Sequence, residues 1–258
     1  MRRVVAIANQ KGGVGKSTTA VNLGACLAAA GCRTLLVDLD PQGNSTSGLG
    51  IDRTRIRKTM YDVLLNGVDL AEIVLPSPVP DLDVAPSTVH LAGAEVELAG
   101  VEDAEIRLRR ALEPADYPDV LLDCPPSLGL LTVNALSAAT EVLIPIQCEY
   151  YALEGLKQLL HSIELVRRHV NPSLQIGGVL LTMYDSRTNL SDQVVAEVRR
   201  FFGDRVYDSV IPRSVRLAEA PSHGKPITLY DPTSRGAQAY HALAQEVIAR
   251  GRQPSATL

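Results

Sequence analysis

The stretch Arg3-Val4-Val5-Ala6-Ile7-Ala8 runs directly into Asn9-Gln10-Lys11-Gly12-Gly13-Val14-Gly15-Lys16-Ser17-Thr18. Its apolar, β-branched first half reads as a strand, and residues 16–30, rich in Ala and Gly, read as a helix small enough to pack tightly on a sheet. Between them, three glycines let the backbone curl so that successive N–H groups point inward as a nest for phosphate oxygens. The positive end of the helix dipole stands behind that nest. Lys16 can then reach β- and γ-phosphates, and the Ser17 hydroxyl can ligate Mg²⁺. Gly12, Gly13, Val14, Gly15, Lys16, Ser17 and Thr18 are therefore the candidate nucleotide cradle. One position departs from the standard pattern. Gln10 stands five residues before Gly15, where a glycine is expected, and an extra lysine, Lys11, follows it.

Outward from this loop, the same kind of apolar run recurs at Thr34–Val37, Leu82–Ala85, Asp119–Leu122, Val142–Ile146 and Ile176–Leu181. Most of these runs are continuous rather than alternating in hydrophobicity, as expected where helices cover both faces of a parallel sheet. Residues 151–169 predict an amphipathic helix with Leu153, Leu156, Leu160 and Ile163 on one face, and 190–202 and 233–250 predict two more. The βα alternation predicts an α/β, doubly wound, mostly parallel sheet with helices on both faces, the architecture of P-loop NTPases. The proline-rich segment Pro76–Pro80 reads as a surface loop. With no linker and no internal repeat, 1–258 reads as a single domain, with 251–258 a tail.

The second strand ends in Val37-Asp38-Leu39-Asp40-Pro41, and a side-chain period of two puts Asp38 and Asp40 on the same side. That is the carboxyl edge, where open α/β sheets bind their ligands. Asp123 ends another apolar strand and precedes Cys124-Pro125-Pro126-Ser127, in the form of a Walker B strand whose Asp holds a Mg²⁺-bound water. An Asp at a strand end is often only a helix cap; three converging on one phosphate loop are a far stronger signal. Phosphoryl transfer needs positioning, charge neutralisation and an oriented water, and these residues supply all three.

The rest of the composition limits the choices. The net charge of −4 excludes a protein that holds DNA by bulk charge. The charge is uneven: residues 1–180 carry 15 basic and 21 acidic side chains, and 181–258 carry 10 and 8. An anionic polymer would have to meet a local patch in the C-terminal third. With no Trp and two Phe, stacked-aromatic platforms for nucleic acid are not expected. Cys26, Cys32, Cys124 and Cys148 lack CxxC spacing and read as reduced, mostly buried thiols of a cytosolic protein. The apolar stretch Val4–Ala8 is too short for a signal peptide.

The segments NQKGGVGKSTTAVNLG, LLVDLDPQGNSTSGLG, LLDCPPSLG, IPIQCEYYALEGL, LLTMYDSRT and IPRSVRLAEAPSHGKPI occur in this order. Together they resemble the ParA family of chromosome-partitioning ATPases, deviant Walker A proteins, in its short Soj-like form. The resemblance covers roughly residues 3–250 and implies an ATP- and Mg²⁺-dependent homodimer, cytoplasmic and associated with the nucleoid. It implies a dimer that binds double-stranded DNA without sequence preference and hydrolyses ATP when a ParB-type partner stimulates it. Lys11 then resembles the lysine that reaches into the partner's site, and Lys16 the P-loop lysine. Asp40 resembles the residue that orients attacking water, and Asp38 and Asp123, with Ser17, the Mg²⁺ shell. Arg187 and Arg216 match DNA-contacting positions. The segments Met183–Asp185 and Ile211–Ser214, with Met183, Pro212 and Arg213 foremost, are expected to border the adenine. The alternative is a membrane-cycling division-site ATPase of the MinD type. Such proteins end in a basic amphipathic helix, whereas Gly251–Leu258 holds Pro254 and no large apolar face. An iron–sulfur carrier would need paired cysteines at a dimer seam; Cys124 is the candidate, without a partner.

Overall fold

The computed structural model describes residues 2–150 and 155–251. The expected tail beyond Gly251 and the first turn of the 151–169 helix, Leu153 included, lie outside the described residues. Eight strands, β1 (Arg3–Ile7), β2 (Thr34–Asp38), β3 (Leu75–Pro76), β4 (Leu82–Ala85), β5 (Asp119–Asp123), β6 (Glu141–Gln147), β7 (Gln175–Tyr184) and β8 (Val206–Pro212), build one sheet. Their order is β3-β4-β2-β5-β1-β6-β7-β8. Neighbours run parallel except β3 against β4.

Both faces of this sheet are buried, which explains the continuous apolar runs. Val4 and Ala6 of β1, with Leu35 and Val37 of β2, face a core built with the helices Met60–Asn66, Leu91–Leu98, Leu130–Ala138, Leu156–His169 and Asn189–Phe202. Val5, Ile7 and Leu36 face the opposite core, closed by α1 (Lys16–Ala29) and the helix Arg235–Gly251. α1 is buried on most of its circumference. A Cβ on its Gly24 would stand 3.2 Å from Leu82 Cδ1, so the small residues are what allow the helix to lie so close to the sheet.

Two local expectations change, and one strand is added. On the helix Leu156–His169 the buried stripe is Leu156, Leu159, Ile163 and Val166, while Leu160 is half-buried at its margin. The segment Pro76–Pro80 is not wholly loop: Pro76 belongs to β3 and Val79 is buried. β8 carries no continuous apolar run, because as an edge strand it leaves Asp208 exposed and Ser209 half-buried. No helix among the described residues is long and apolar enough to cross a membrane.

Candidate functional site

The strand register assembles the site. β5 lies between β1 and β2 and pairs Ile7 with Asp123 on one side and Asp38 with Asp123 on the other. The loop that leaves β1 therefore rises beside two carboxylates from strands far away in sequence. Gly13 (φ 75°) and Gly15 (φ 91°) take left-handed conformations that side-chain-bearing residues rarely adopt. Gln10 does not, so glycine is not required there. Asn9 anchors the start of the loop: its Nδ2 donates to the Pro145 carbonyl (2.7 Å) and its Oδ1 accepts the Lys11 N–H (3.0 Å). The Thr182 hydroxyl donates to the Val14 carbonyl (2.8 Å) and ties the loop to β7. At the start of α1 no side chain caps the helix and the first turn holds no acidic residue. The N–H groups and dipole of that end are thus available to an external anion.

Gly12, Gly13, Gly15, Lys16, Ser17 and Thr18 line a cavity of about 390 Å³ together with Asp40. Val14 is buried and does not line it; Lys11 is half-buried and does not line it either. Lys16 is buried, with Nζ donating to the Lys11 carbonyl at 3.3 Å. Burial pulls its pKa down, opposed by the negative charges of Asp123 and Asp40. Asp40 is 6% exposed, and its Oδ1 accepts the Gln42 N–H at 2.9 Å.

Asp38 and Asp123 lie under the cavity floor, both fully buried. Asp38 Oδ2 accepts the N–H (2.8 Å) and hydroxyl (2.7 Å) of Thr46, and Oδ1 accepts the Asp40 N–H (3.2 Å). Both of its oxygens therefore hold the 40–46 loop in shape. Asp123 Oδ2 accepts the Ser45 hydroxyl at 2.7 Å, whereas its Oδ1 is buried with no hydrogen-bond partner. Burial, followed by their mutual repulsion at Asp38, pushes both carboxyls above the usual carboxylate range. The hydrogen bond from Ser45 and the nearby Ser17 hydroxyl draw Asp123 back down. A buried carboxylate oxygen without a partner, beside a serine hydroxyl, suits a hard cation that takes oxygen ligands and completes its shell with phosphates and water. Ser17 and Asp123 fit a Mg²⁺ ion in this way; Asp38 fits as the residue that builds the adjoining loop.

A second cavity, of about 220 Å³, shares Gly15, Thr18 and Met183 with the first, so the two adjoin. Its walls include Pro212 and Arg213, and the whole segment Ile211–Ser214 lines it. Of Met183–Asp185 only Met183 does; Tyr184 and Asp185 do not. Met183 is left-handed (φ 52°), a conformation costing a side-chain-bearing residue about 1–2 kcal/mol. Arg213 is held by an ion pair with Glu149 and by a backbone bond to the Tyr184 carbonyl (2.9 Å).

Several lining residues escaped the sequence reading: Asn22, Asn44, Ser47 and Lys225 in the larger cavity, Leu217 and Tyr240 in the smaller. The run Asn44-Ser45-Thr46-Ser47, dense in hydroxyls just after Asp40-Pro41, is the signal that could have found part of this set. Arg187 and Arg216 lie away from both cavities, their side chains 83% and 59% exposed. Cys124 is fully buried and burial pushes its thiol up, so it presents no sulfur at a surface seam.

A family model described as an AAA domain matches residues 2–176. The chain is 59% identical over 253 residues to the sporulation initiation inhibitor protein Soj of Bacillus subtilis, covering 97% of this chain and all of that one. It is 56% identical over 250 residues to the chromosome partitioning protein ParA of Myxococcus xanthus, covering 96% and 88%. Among solved structures, it superposes with a TM-score of 0.87 on cobyrinic acid a,c-diamide synthase from Mycobacterium smegmatis with bound ADP and magnesium. That pair is 38% identical, and the match covers 98% of this chain and 96% of the other.

Proposed function

The chain belongs to the Soj/ParA family of chromosome-partitioning ATPases, and on that premise we propose that it is an ATP-dependent DNA-segregation ATPase acting as a homodimer. The ATP dimer binds double-stranded DNA without sequence preference, and a ParB-type partner stimulates hydrolysis and so releases it. The observation that carries this reading is the adjoining pair of cavities, in which Lys16, Ser17 and Asp40 line the phosphate end, Pro212 the far end and Met183 both. Mg²⁺-ATP is the ligand that such a shape and donor set fits. The bound ion would neutralise phosphate charge. Lys16 and the α1 N-terminus bind the phosphates, Ser17 and Asp123 hold the ion's shell, and Asp40 orients water. Lys11 reaches across to the partner subunit's phosphates.

DNA binding follows from the dimer. The chain is acidic overall, so the few arginines of one subunit hold a duplex weakly. Pairing two subunits through ATP doubles the Arg187 and Arg216 contacts and makes the second set effectively intramolecular. The test is duplex binding measured with ATP, with ADP and without nucleotide, at several salt concentrations. Binding is expected only with ATP, equal on all sequences and falling steeply with salt. Arg187→Ala and Arg216→Ala should each weaken it uniformly, making the log–log salt slope shallower by roughly one for each phosphate no longer engaged. Equal binding without nucleotide, or full binding by the double variant, would mean the duplex is held elsewhere.

Gly12, although it lines the nucleotide cavity, offers a test of the dimer. Its φ is not left-handed, and an added Cβ would have nothing within 4 Å in its own chain. Gly12→Val should therefore fold and bind ATP while obstructing the close approach of two phosphate loops. Loss of the ATP-dependent dimer in light scattering, with nucleotide affinity kept, is the expected result; a normal dimer would refute the steric argument.

A further inference from the structure

The guanidinium groups of Arg187 and Arg216 are already occupied. Arg187 donates from Nε to Asp185 Oδ1 (2.8 Å) and from its terminal nitrogen to Asp185 Oδ2 (2.6 Å), a two-bond fork, and its backbone N–H also reaches Oδ1 (3.0 Å). The pairing holds the Asp185 carboxyl well below the usual carboxylate range. Arg216 lies between two carboxylates, Glu219 at 3.2 Å and Asp231 at 3.6 Å, and Glu219 is itself fixed by the Tyr230 hydroxyl (3.2 Å). Asp185 does not line either nucleotide cavity, and no mechanistic step above uses it.

A carboxylate and a phosphate present the same paired acceptors to an arginine fork, so they compete for it. We propose that Asp185, Glu219 and Asp231 are affinity-setting residues for the duplex: internal counter-anions that occupy Arg187 and Arg216 until phosphates displace them. The inference rests on the reading that these two arginines contact DNA. Exposed ion pairs are weak, so a duplex can displace them, but each displaced carboxylate remains beside the DNA backbone and repels it. In one subunit this opposition holds binding down. In the dimer the phosphate contacts act together and overcome it. The device sets the duplex affinity of subunit and dimer alike below what the arginines alone would give.

Asp185→Asn isolates the effect, because the amide oxygen still accepts the Arg187 N–H and keeps the turn while the charge is lost. Freeing one pair should tighten binding by about threefold per subunit, and by about tenfold in the ATP dimer where both pairs act. The salt slope should steepen as more counterions are displaced. Glu219→Gln, which keeps an acceptor for Tyr230, should act in the same direction through Arg216 and serves if Asp185→Asn folds poorly. Fluorescence anisotropy on a fixed duplex with ATP reads all of these. Unchanged or weaker binding by both variants would overturn the proposal. The cycle with Arg187→Ala separates this idea from its parent. In the Arg187→Ala background the Asp185→Asn gain should shrink below about twofold, and a full gain there would overturn the competition between carboxylate and phosphate. If Arg187→Ala alone binds DNA like wild type, it is the assignment of Arg187 to the duplex that falls.

Discussion

Lys16→Ala is expected to lose ATP affinity by about a hundredfold or more, with the fold intact. The ammonium is buried at the cavity wall, where its charge is not screened by bulk water. Hydrogen bonds from a charged donor contribute about 1.5–3 kcal/mol each, and a lysine bridging two phosphates makes more than one. The protein has already met the desolvation cost that lowers this lysine's pKa, so the charge is preorganised for the ligand. Lys16 also acts without nucleotide: its charge opposes the upward push that burial gives the Asp123 pKa. Lys16→Gln, which keeps most of the length, should be as defective in binding as the alanine variant, because charge rather than reach is missing. Titration calorimetry with ATP and Mg²⁺ checks the affinity, and thermal unfolding without nucleotide checks the fold. Wild-type affinity in either variant would remove Lys16 from the phosphate site.

The parts of this site that could be read from sequence are those contiguous in it. Strand, glycine loop and helix lie within residues 3–29, so the loop's shape follows from glycines at positions where the backbone turns left-handed. Sequence also placed Asp38, Asp40 and Asp123 at strand ends. It could not say how the three divide the work, because that depends on a long-range register pairing Asp38 with Asp123 and on Thr46 folding back onto Asp38. Asp38 thus fixes the loop from below while Asp40 lines the cavity. The far cavity was legible only in part. Met183 and Pro212 follow from motif order, whereas Leu217 and Tyr240 reach it from elements whose packing no local pattern encodes. β8 went unread for a related reason: an edge strand half open to solvent lacks the continuous apolar signature of its buried neighbours.

Asp40→Ala is expected to bind ATP yet hydrolyse it more slowly by on the order of 10²–10³-fold, a barrier increase of about 2.7–4 kcal/mol. A carboxylate that orients the attacking water contributes in the transition state far more than in the ground state, so its loss lowers turnover and spares binding. The geometry complicates the alanine variant, because Asp40 Oδ1 also accepts the Gln42 N–H. Removing it frees a backbone donor next to the cavity. Asp40→Asn separates the two roles: the amide oxygen still accepts that N–H, while the negative charge that would polarise water is gone. If orientation by charge is what matters, both variants should be slow, and both should accumulate as long-lived ATP dimers on size exclusion. If the Gln42 contact is what matters, the asparagine variant should keep near wild-type turnover and the alanine variant alone should fail, with ATP affinity reduced as well. Single-turnover hydrolysis beside nucleotide titration distinguishes these outcomes. Wild-type hydrolysis by Asp40→Ala would assign the water to another group in the cavity.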